Sequence, residues 1–261
     1  MQIPIFQIDA FTSKVFGGNP AAICPLEKWL PDDVMQRIAL ENCVAETAFF
    51  IPQNEGFAIR WFTPEIEMDL CGHATLAAAH VIARHLNATE STIVFQSNSG
   101  TLKVLVEENL LTLDFPSRMP LPCDLPDFLL DAFQYKPIES LKSRDYVLVF
   151  ENEKIIRDMR PNQQLLDQIN LDPGGIIITA RGDKVDFVSR FFTPQASIFE
   201  DPVTGSAHCS LIPYWSKKLG KQSMQALQLS TRGGKLGCKN LDDRVLISGE
   251  AVTYLEGTIS I

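Results

Sequence analysis

Residues 60–80, RWFTPEIEMDLCGHATLAAAH, and residues 190–208, RFFTPQASIFEDPVTGSAH, follow the same pattern. Each copy has an arginine, then Phe-Thr-Pro, then small residues that open an apolar run. An ungapped alignment at an offset of 130 positions places Cys71 on Asp201 and Ala77 on Ala207. This offset is close to half of the 261-residue chain. A repeat of this length predicts two related lobes rather than a solenoid of short repeats.

Each copy predicts the same local structure, a strand that leads into a helix. The aromatic and β-branched residues before Pro64 and Pro194 favour strands, which the prolines then end. Apolar helices are expected over residues 76–86 and 209–219. The start of a helix presents unpaired N–H groups and positive partial charge, which suit a carboxylate. We therefore expect the two helix starts to face one cleft between the lobes.

The rest of the chain predicts an α+β fold of two pseudo-symmetric lobes, each a mixed barrel or roll wrapped around a central helix. Strands and helices do not alternate regularly enough for a doubly wound α/β fold. Residues 116–126 contain four prolines, which marks a boundary. The lobes are expected over 1–118 and 119–261, with a last strand, about 251–261, that could return to the first lobe.

Composition and charge argue against several classes of protein. The net charge is −9 and no block of lysine or arginine occurs, so nucleic-acid binding is not expected. No apolar run approaches the ~20 residues that span a bilayer, and no basic segment typical of a signal peptide opens the sequence. The six cysteines form no CxxC pair, which is typical of reduced thiols in a cytoplasmic protein.

Two residues of the first half are candidates for proton transfer. Glu46 lies among apolar residues that predict a strand, and a buried carboxylate is costly unless it is paired or used. Burial would raise its pKa toward neutrality, although a glutamate that points to water from a strand end would also fit the pattern. His73 follows Gly72 at the helix start, where a capping or packing histidine competes with a catalytic one.

The second half offers Asp201, followed by Pro202. This pair is typical of a helix N-cap, but the carboxylate could also orient His73 or share its proton. The small residues at the two helix starts are candidates to bind an anionic group of the substrate. They are Gly72, Ala74 and Thr75 in the first copy and Gly205 and Ser206 in the second.

Cys71 could act as a thiolate base, because a helix start lowers the pKa of a thiol. Its partner in the ungapped alignment is Asp201 rather than a second cysteine, so a buried small residue is the favoured interpretation. No cysteine cluster or histidine pair with a nearby acid indicates a metal site. The glycines of residues 232–237 match neither a phosphate loop nor a dinucleotide fingerprint, and no cofactor is expected.

Five motifs in order resemble the PhzF-like phenazine biosynthesis family. They are FGGNPAA at 16–22, ETAF at 46–49, RWFTP at 60–64, LCGHATL at 70–76 and EDPVTGSA at 200–207. The resemblance implies a fold similar to diaminopimelate epimerase, with an active site between two lobes. It also implies cofactor-free isomerisation, which in the characterised member acts on trans-2,3-dihydro-3-hydroxyanthranilate. A homodimer is expected on this resemblance alone.

The resemblance also implies roles for individual residues. Glu46 matches the acid/base that moves a proton between substrate carbons, and His73 and Asp201 match its partners. Gly72 and Ser206 match positions near the substrate. Ala45 departs from the family, in which a serine is common at this position, and this change could alter a hydrogen bond near the base.

Three functions therefore remain open from the sequence. The favoured one is an isomerase that acts on a small carboxylate-bearing substrate. The second is an amino-acid racemase or epimerase that uses Cys71 with Glu46 or Asp201. The third is a non-catalytic protein that binds small molecules on the same scaffold.

Overall fold

The computed structural model describes residues 1–86, 88–169, 171 and 174–261, with their side chains except that of Phe128. The strands are β1 Gln2–Ala10, β2 Asn19–Pro25, β3 Glu46–Gln53, β4 Gly56–Phe62, β5 Glu67–Met68, β6 Thr92–Ser97, β7 Gly100–Glu107, β8 Leu110–Pro116, β9 Leu121–Pro122, β10 Glu139–Lys142, β11 Tyr146–Val149, β12 Ile176–Arg181, β13 Phe187–Phe192, β14 Glu200–Asp201, β15 Ser223–Gln228, β16 Gly234–Leu241, β17 Arg244–Gly249 and β18 Ala251–Ser260. The helices are α1 Asp32–Asn42, α2 Gly72–Arg84, α3 Asp127–Asp131, α4 Glu153–Asp158, α5 Gln163–Leu166 and α6 Gly205–Leu219.

The chain forms two compact units, and their mixed strands and helices confirm the predicted α+β class. The first unit comprises Met1–Phe115 and Ile247–Ile261, and the second comprises Pro116–Leu246. The strand β18 thus belongs to the first unit, where it pairs with β1. Among the described residues, no helix combines the length and the apolar character that crossing a membrane requires.

In the first unit, a mixed sheet packs around α2. The strands pair in the order β18, β1, β2, β3, β4, β6, β7 and β8, and the pairs β2–β3 and β4–β6 are parallel. Helix α2 contacts β1, β2, β3, β7 and β18. It is buried from Gly72 to Ala79 and again at Val81 and Ile82. Small apolar residues on all faces allow strands to approach the helix closely from several sides.

The second unit repeats this arrangement around α6. Its strands pair in the order β9, β10, β11, β12, β13, β15 and β16, and the pairs β11–β12 and β13–β15 are parallel. Parallel and antiparallel pairs thus follow the same sequence as in the first unit. A second layer, formed by α3, α4 and α5, packs on the other face of β11, β12 and β13. Two units of one topology agree with the repeat that the sequence predicts.

The structure corrects the alignment of the two copies beyond the prolines. In β4–β5, Trp61 pairs with Met68, and in β13–β14, Phe191 pairs with Asp201. Helix α2 has Cys71 as its N-cap, whereas α6 has Thr204. The second copy therefore carries three additional residues before β14. The structural counterpart of Cys71 is Thr204, so its predicted alignment with Asp201 was wrong, as was that of Ala77 with Ala207.

Each unit also contains one arginine–glutamate fork that holds the short strand before the central helix. Arg190 donates from Nε and Nη2 to the two carboxylate oxygens of Glu200, at 2.6 and 2.8 Å. Its Nη1 donates to the carbonyl of Met159 at 2.7 Å. In the first unit, Arg60 makes the same bidentate contact with Glu67, at 2.7 and 2.6 Å. Such forks fix geometry as well as charge, so they hold β14 and β5 in place.

We expect Arg190→Met to lower the free energy of unfolding by about 3–5 kcal/mol, because Glu200 would be left with a largely buried and uncompensated charge. Arg37→Met is the control, since the Arg37 side chain is 78% exposed and its pair with Asp33 is expected to contribute under about 1 kcal/mol. Urea unfolding of both variants measures the difference. Equal losses would contradict a structural role of the fork.

A buried histidine lies in the first turns of α6. His208 has no solvent exposure, and its Nδ1 lies 2.8 Å from the carbonyl oxygen of Thr204. Burial lowers the pKa of His208 to about 4, and the contact with Thr204 only partly opposes this shift. The folded protein therefore holds this ring neutral at pH values where the unfolded chain binds a proton.

We expect stability to fall as the pH drops from about 6.5 to 4, because in this window the unfolded state binds a proton at His208 and the folded state does not. The stabilisation is fully present above the unfolded pKa of 6.5. His208→Gln should reduce the slope of unfolding free energy against pH by up to about 1.4 kcal/mol per pH unit. Urea unfolding at several pH values measures this slope, and an unchanged slope would contradict the burial argument.

Candidate functional site

The first unit brings Glu46 and His73 together. Glu46 is the first residue of β3, and His73 is the second residue of α2. Nε2 of His73 lies 3.2 Å from Oε2 of Glu46, with 4% of the histidine side chain and 16% of the glutamate side chain exposed. The two atoms are close without meeting the geometry of a regular hydrogen bond. Contacts of this kind can tighten when a ligand binds, so the distance brings the two groups close to hydrogen-bonding range.

His73 is neutral in this environment. Burial lowers its pKa to about 3, and the neighbouring carbonyl of Pro20 opposes this shift only in part. A neutral imidazole has one N–H and one acceptor nitrogen, so it can hold a partner by donating or accepting a hydrogen bond. The ring is therefore suited to orient the Glu46 carboxyl group without adding a positive charge beside it.

Asn19 sets the state of the histidine ring, and the sequence analysis did not identify it as a site residue. It is fully buried, and its Nδ2 lies 3.1 Å from Nδ1 of His73. When Asn19 donates to Nδ1, the proton of the neutral ring lies on Nε2, the nitrogen that is 3.2 Å from Oε2 of Glu46. The available signal was an asparagine that lies between two glycines and an apolar stretch of sequence.

The structure shows why a glycine directly precedes Asn19. Gly18 has a φ of +62°, and a Cβ at this position would lie 2.1 Å from the carbonyl oxygen of Ala10. Strand β2 already begins at Asn19, which pairs with Ala10 of β1. The strand thus begins directly after Gly18 and places Asn19 against His73.

Cys71 lies beside the same ring nitrogen of His73 that Asn19 contacts. Its Sγ is 3.5 Å from Nδ1 of His73, and the residue is buried. Cys71, His73 and Glu46 offer ligand atoms within 4.8 Å of one another, which could hold a metal ion. However, the thiol lies beside Nδ1 and the carboxylate beside Nε2, and one ion binds only one nitrogen of an imidazole. This arrangement favours polar contacts that orient the His73 ring and the Glu46 carboxyl group over a shared metal centre.

The other predicted residues of the first unit form the first turn of α2. Gly72, Ala74 and Thr75 are all buried. The Thr75 hydroxyl donates to the carbonyl of Cys71 at 2.5 Å, so it stabilises the helix start. Their role in substrate binding stays a prediction.

In the second unit, Asp201 ends β14 and the helix α6 follows with Gly205 and Ser206 in its first turn. The hydroxyl of Thr204 donates to Oδ2 of Asp201. Asp201 is therefore not the N-cap of α6, because Thr204 occupies that position. The predicted action of Asp201 on His73, and of Gly205 and Ser206 on a substrate, stays a prediction.

The two units differ in the residues that occupy equivalent places. Thr47 pairs with Phe62, and Ile176 pairs with Phe192, so Gly175 is the counterpart of Glu46. Ser206 is likewise the second residue of α6, as His73 is of α2. Thr204 corresponds to Cys71, so the repeat supplies no second thiol at the equivalent position. The candidate acid/base groups are thus arranged asymmetrically.

Comparisons with known proteins identify relatives along the whole chain. The family model described as phenazine biosynthesis-like protein, PhzC-PhzF, matches residues 8–257. A protein of Pseudomonas aeruginosa that is named an uncharacterised isomerase is 46% identical over 261 residues, covering 100% of both chains. The crystal structure of a PhzF-family phenazine biosynthesis protein from Enterococcus faecalis has a TM-score of 0.96 at 45% identity, with 100% of each chain covered.

A more distant structure confirms the fold class alone. The hydroxyproline epimerase of Agrobacterium vitis has a TM-score of 0.68 at 8% identity, covering 100% of this chain and 93% of the epimerase. The epimerase-like fold expected from the motifs is therefore confirmed. Together with the close relatives, these matches show that the chain belongs to the PhzC-PhzF family of phenazine biosynthesis-like proteins.

Proposed function

We propose that this protein is a cofactor-independent isomerase that moves a proton by general acid/base catalysis on a small substrate carrying a carboxylate. The observation that carries this proposal is the contact of 3.2 Å between Glu46 and the neutral, buried imidazole of His73. The Pseudomonas aeruginosa relative is named an isomerase, which supports the same reaction class. The family resemblance makes trans-2,3-dihydro-3-hydroxyanthranilate the first substrate to test.

In the proposed reaction, Glu46 accepts a proton from one carbon of the substrate. The electron pair of that C–H bond moves into the conjugated system, and Glu46 returns the proton to a second carbon. No oxidant or reductant is consumed, since the reaction only relocates a proton and a double bond. His73 keeps Glu46 in position through Nε2, and Asn19 holds the ring from Nδ1. A positioned acid/base group of this kind contributes about 10²–10⁴-fold to a rate.

The helix starts are proposed to bind the carboxylate of the substrate. The first turn of α2 contains Gly72 and Ala74, and the first turn of α6 contains Gly205 and Ser206. Backbone N–H groups at such positions lack partners within the helix and attract anions. Asp201 is proposed to assist proton transfer as a second carboxylate.

A racemase or epimerase is the second candidate, because the thiol of Cys71 touches the His73 ring at 3.5 Å. A two-base racemase places one base on each side of the substrate carbon. Since the structural counterpart of Cys71 is Thr204, the repeat does not provide a second thiol there. This argues against a pair of thiols and leaves Cys71 with Glu46 or Asp201 as the two-base arrangement that the Cys71→Ala variant tests.

We expect Glu46→Gln to reduce proton exchange at least about 100-fold, because the amide cannot take up the substrate proton. NMR in D₂O measures deuterium uptake by trans-2,3-dihydro-3-hydroxyanthranilate and then by a panel of amino acids. Glu65→Gln is the control, since Glu65 is an exposed glutamate of the same unit. The control should exchange like wild type.

Two results would contradict this proposal. Exchange that persists in Glu46→Gln would remove Glu46 from its role. Ligand binding by the wild type without any exchange would favour the non-catalytic binding protein instead, and equal binding by the variant would support that conclusion.

We expect Cys71→Ala to keep proton exchange within about threefold of wild type, because the proposed proton path uses Glu46 and not a thiol. The same D₂O assay measures this variant, and a panel of L-amino acids followed by chiral chromatography tests for racemisation. A loss of more than about 100-fold in exchange would instead favour the racemase that uses Cys71 as a base.

A further inference from the structure

In the second unit, Asp201 is held by two residues to which the sequence assigned no function: Thr204 contacts its carboxylate and Gln228 contacts its backbone carbonyl. The Thr204 hydroxyl donates to Oδ2 of Asp201. Gln228 lies at the end of β15, 24 positions further along the chain, and is 1% exposed. Its amide contacts Asp201 and Thr204 at three atoms, which fixes the loop before α6.

The orientation of the Gln228 amide is determined by its partners. Its Oε1 accepts a hydrogen bond from the backbone N–H of Thr204 at 2.9 Å, and an N–H group can only donate. Nε2 must therefore be the other end of the amide. It donates to the carbonyl of Asp201 at 2.8 Å and to the hydroxyl oxygen of Thr204 at 3.1 Å. Both carbonyl and hydroxyl oxygens accept such bonds, so all three contacts agree.

This arrangement determines the direction of the Thr204 hydroxyl proton. A hydroxyl group has a single proton, and the Thr204 oxygen already accepts a hydrogen bond from Nε2 of Gln228. The proton is then directed to Oδ2 of Asp201, which must accept it. Oδ2 acts as an acceptor in this bond, so Oδ1 is the carboxylate oxygen that can take up a proton while the bond from Thr204 stays intact.

We propose that Thr204 and Gln228 are positioning residues that hold Asp201 as a proton acceptor through Oδ1. This inference rests on the proposed function, because it assigns the direction in which Asp201 assists proton transfer. The fork between Arg190 and Glu200 supports it, since it fixes the residue directly before Asp201. Asp201 is therefore held in three ways: by the fixed residue Glu200 before it, by the bond to its own carbonyl, and by the bond to one carboxylate oxygen.

The first unit provides an internal comparison, because it has the same fold without this network. The counterpart of Asp201 is Met68, and the counterpart of Thr204 is Cys71. Ala58 pairs with Gln96 in β4–β6 and Val188 with Leu227 in β13–β15, which makes Ser97 the counterpart of Gln228. The helix start of α2 therefore forms without such a network. Helix formation alone does not explain why Thr204 and Gln228 are present in the second unit.

The experiment is a titration of aspartate labelled with ¹³C at the carboxyl carbon, followed by NMR. The resonance of Asp201 is assigned by its loss in Asp201→Asn. Thr204→Val removes the hydroxyl at nearly constant size, Thr204→Ser retains a hydroxyl, and Thr231→Val makes the same change at an exposed threonine of the same unit. Because the readout is a titration, it does not depend on substrate turnover.

We expect Thr204→Val to raise the titration midpoint of Asp201 by about one pH unit, since a hydrogen bond to the charged form is lost. Thr204→Ser and Thr231→Val should titrate like wild type. In wild type, the Thr204 hydroxyl proton should also appear as a slowly exchanging resonance, a measurement that requires no variant to fold.

An unchanged midpoint in Thr204→Val, or a Thr204 hydroxyl proton that exchanges as rapidly as that of an exposed threonine, would overturn the inference. The D₂O exchange assay separates this outcome from failure of the proposed function. Active exchange with an unchanged midpoint removes only the positioning role. A shifted midpoint in a protein that exchanges no substrate keeps the positioning of Asp201 and removes the isomerase.

Discussion

The burial of an imidazole at the start of α2 is the constraint on which the candidate site depends. Water is excluded from His73, so the ring is neutral and cannot supply a fixed positive charge to the carboxylate beside it. Its two nitrogens instead connect Asn19 on one side with Glu46 on the other. The small residues of α2 permit this burial, because strands of the first unit approach the helix closely. The fold thus determines the protonation state of the His73 ring.

The two units share one topology but present different polar residues around their central helices. The first provides Asn19, His73 and Glu46 around its central helix, and the second provides Asp201, braced by Thr204 and Gln228. Equivalent positions hold unrelated residues. For example, Gly175 in the second unit is the counterpart of Glu46 in the first. A duplicated scaffold with unlike residues is suited to relocating a proton between different atoms of a substrate, whereas two matched bases suit inversion of one centre.

The sequence predicted the two-fold repetition, the α+β class and the family because these depend on local patterns. Strand residues, prolines and small residues recur at fixed spacing, and the Arg60 and Arg190 motifs are nearly identical. The ungapped alignment of the two copies failed beyond Pro194, because no local sequence pattern marks the three additional residues of the second copy. The insertion is revealed by the pairing of β4 with β5 and of β13 with β14, and by the forks of Arg60 with Glu67 and of Arg190 with Glu200. Asn19 and Gln228 were missed for a related reason, because their contacts lie 54 and 24 positions away.

The central claim is that His73 is neutral and presents an N–H from Nε2 to Glu46. Nitrogen-15 NMR of the labelled imidazole tests it most directly, since the two ring nitrogens have different shifts in each tautomer and in the charged ring. The account predicts a neutral ring with the proton on Nε2 and no titration of His73 between pH 5 and 8, because burial lowers its pKa to about 3. A ring that becomes charged near pH 6.5, or that carries its proton on Nδ1, would contradict the account.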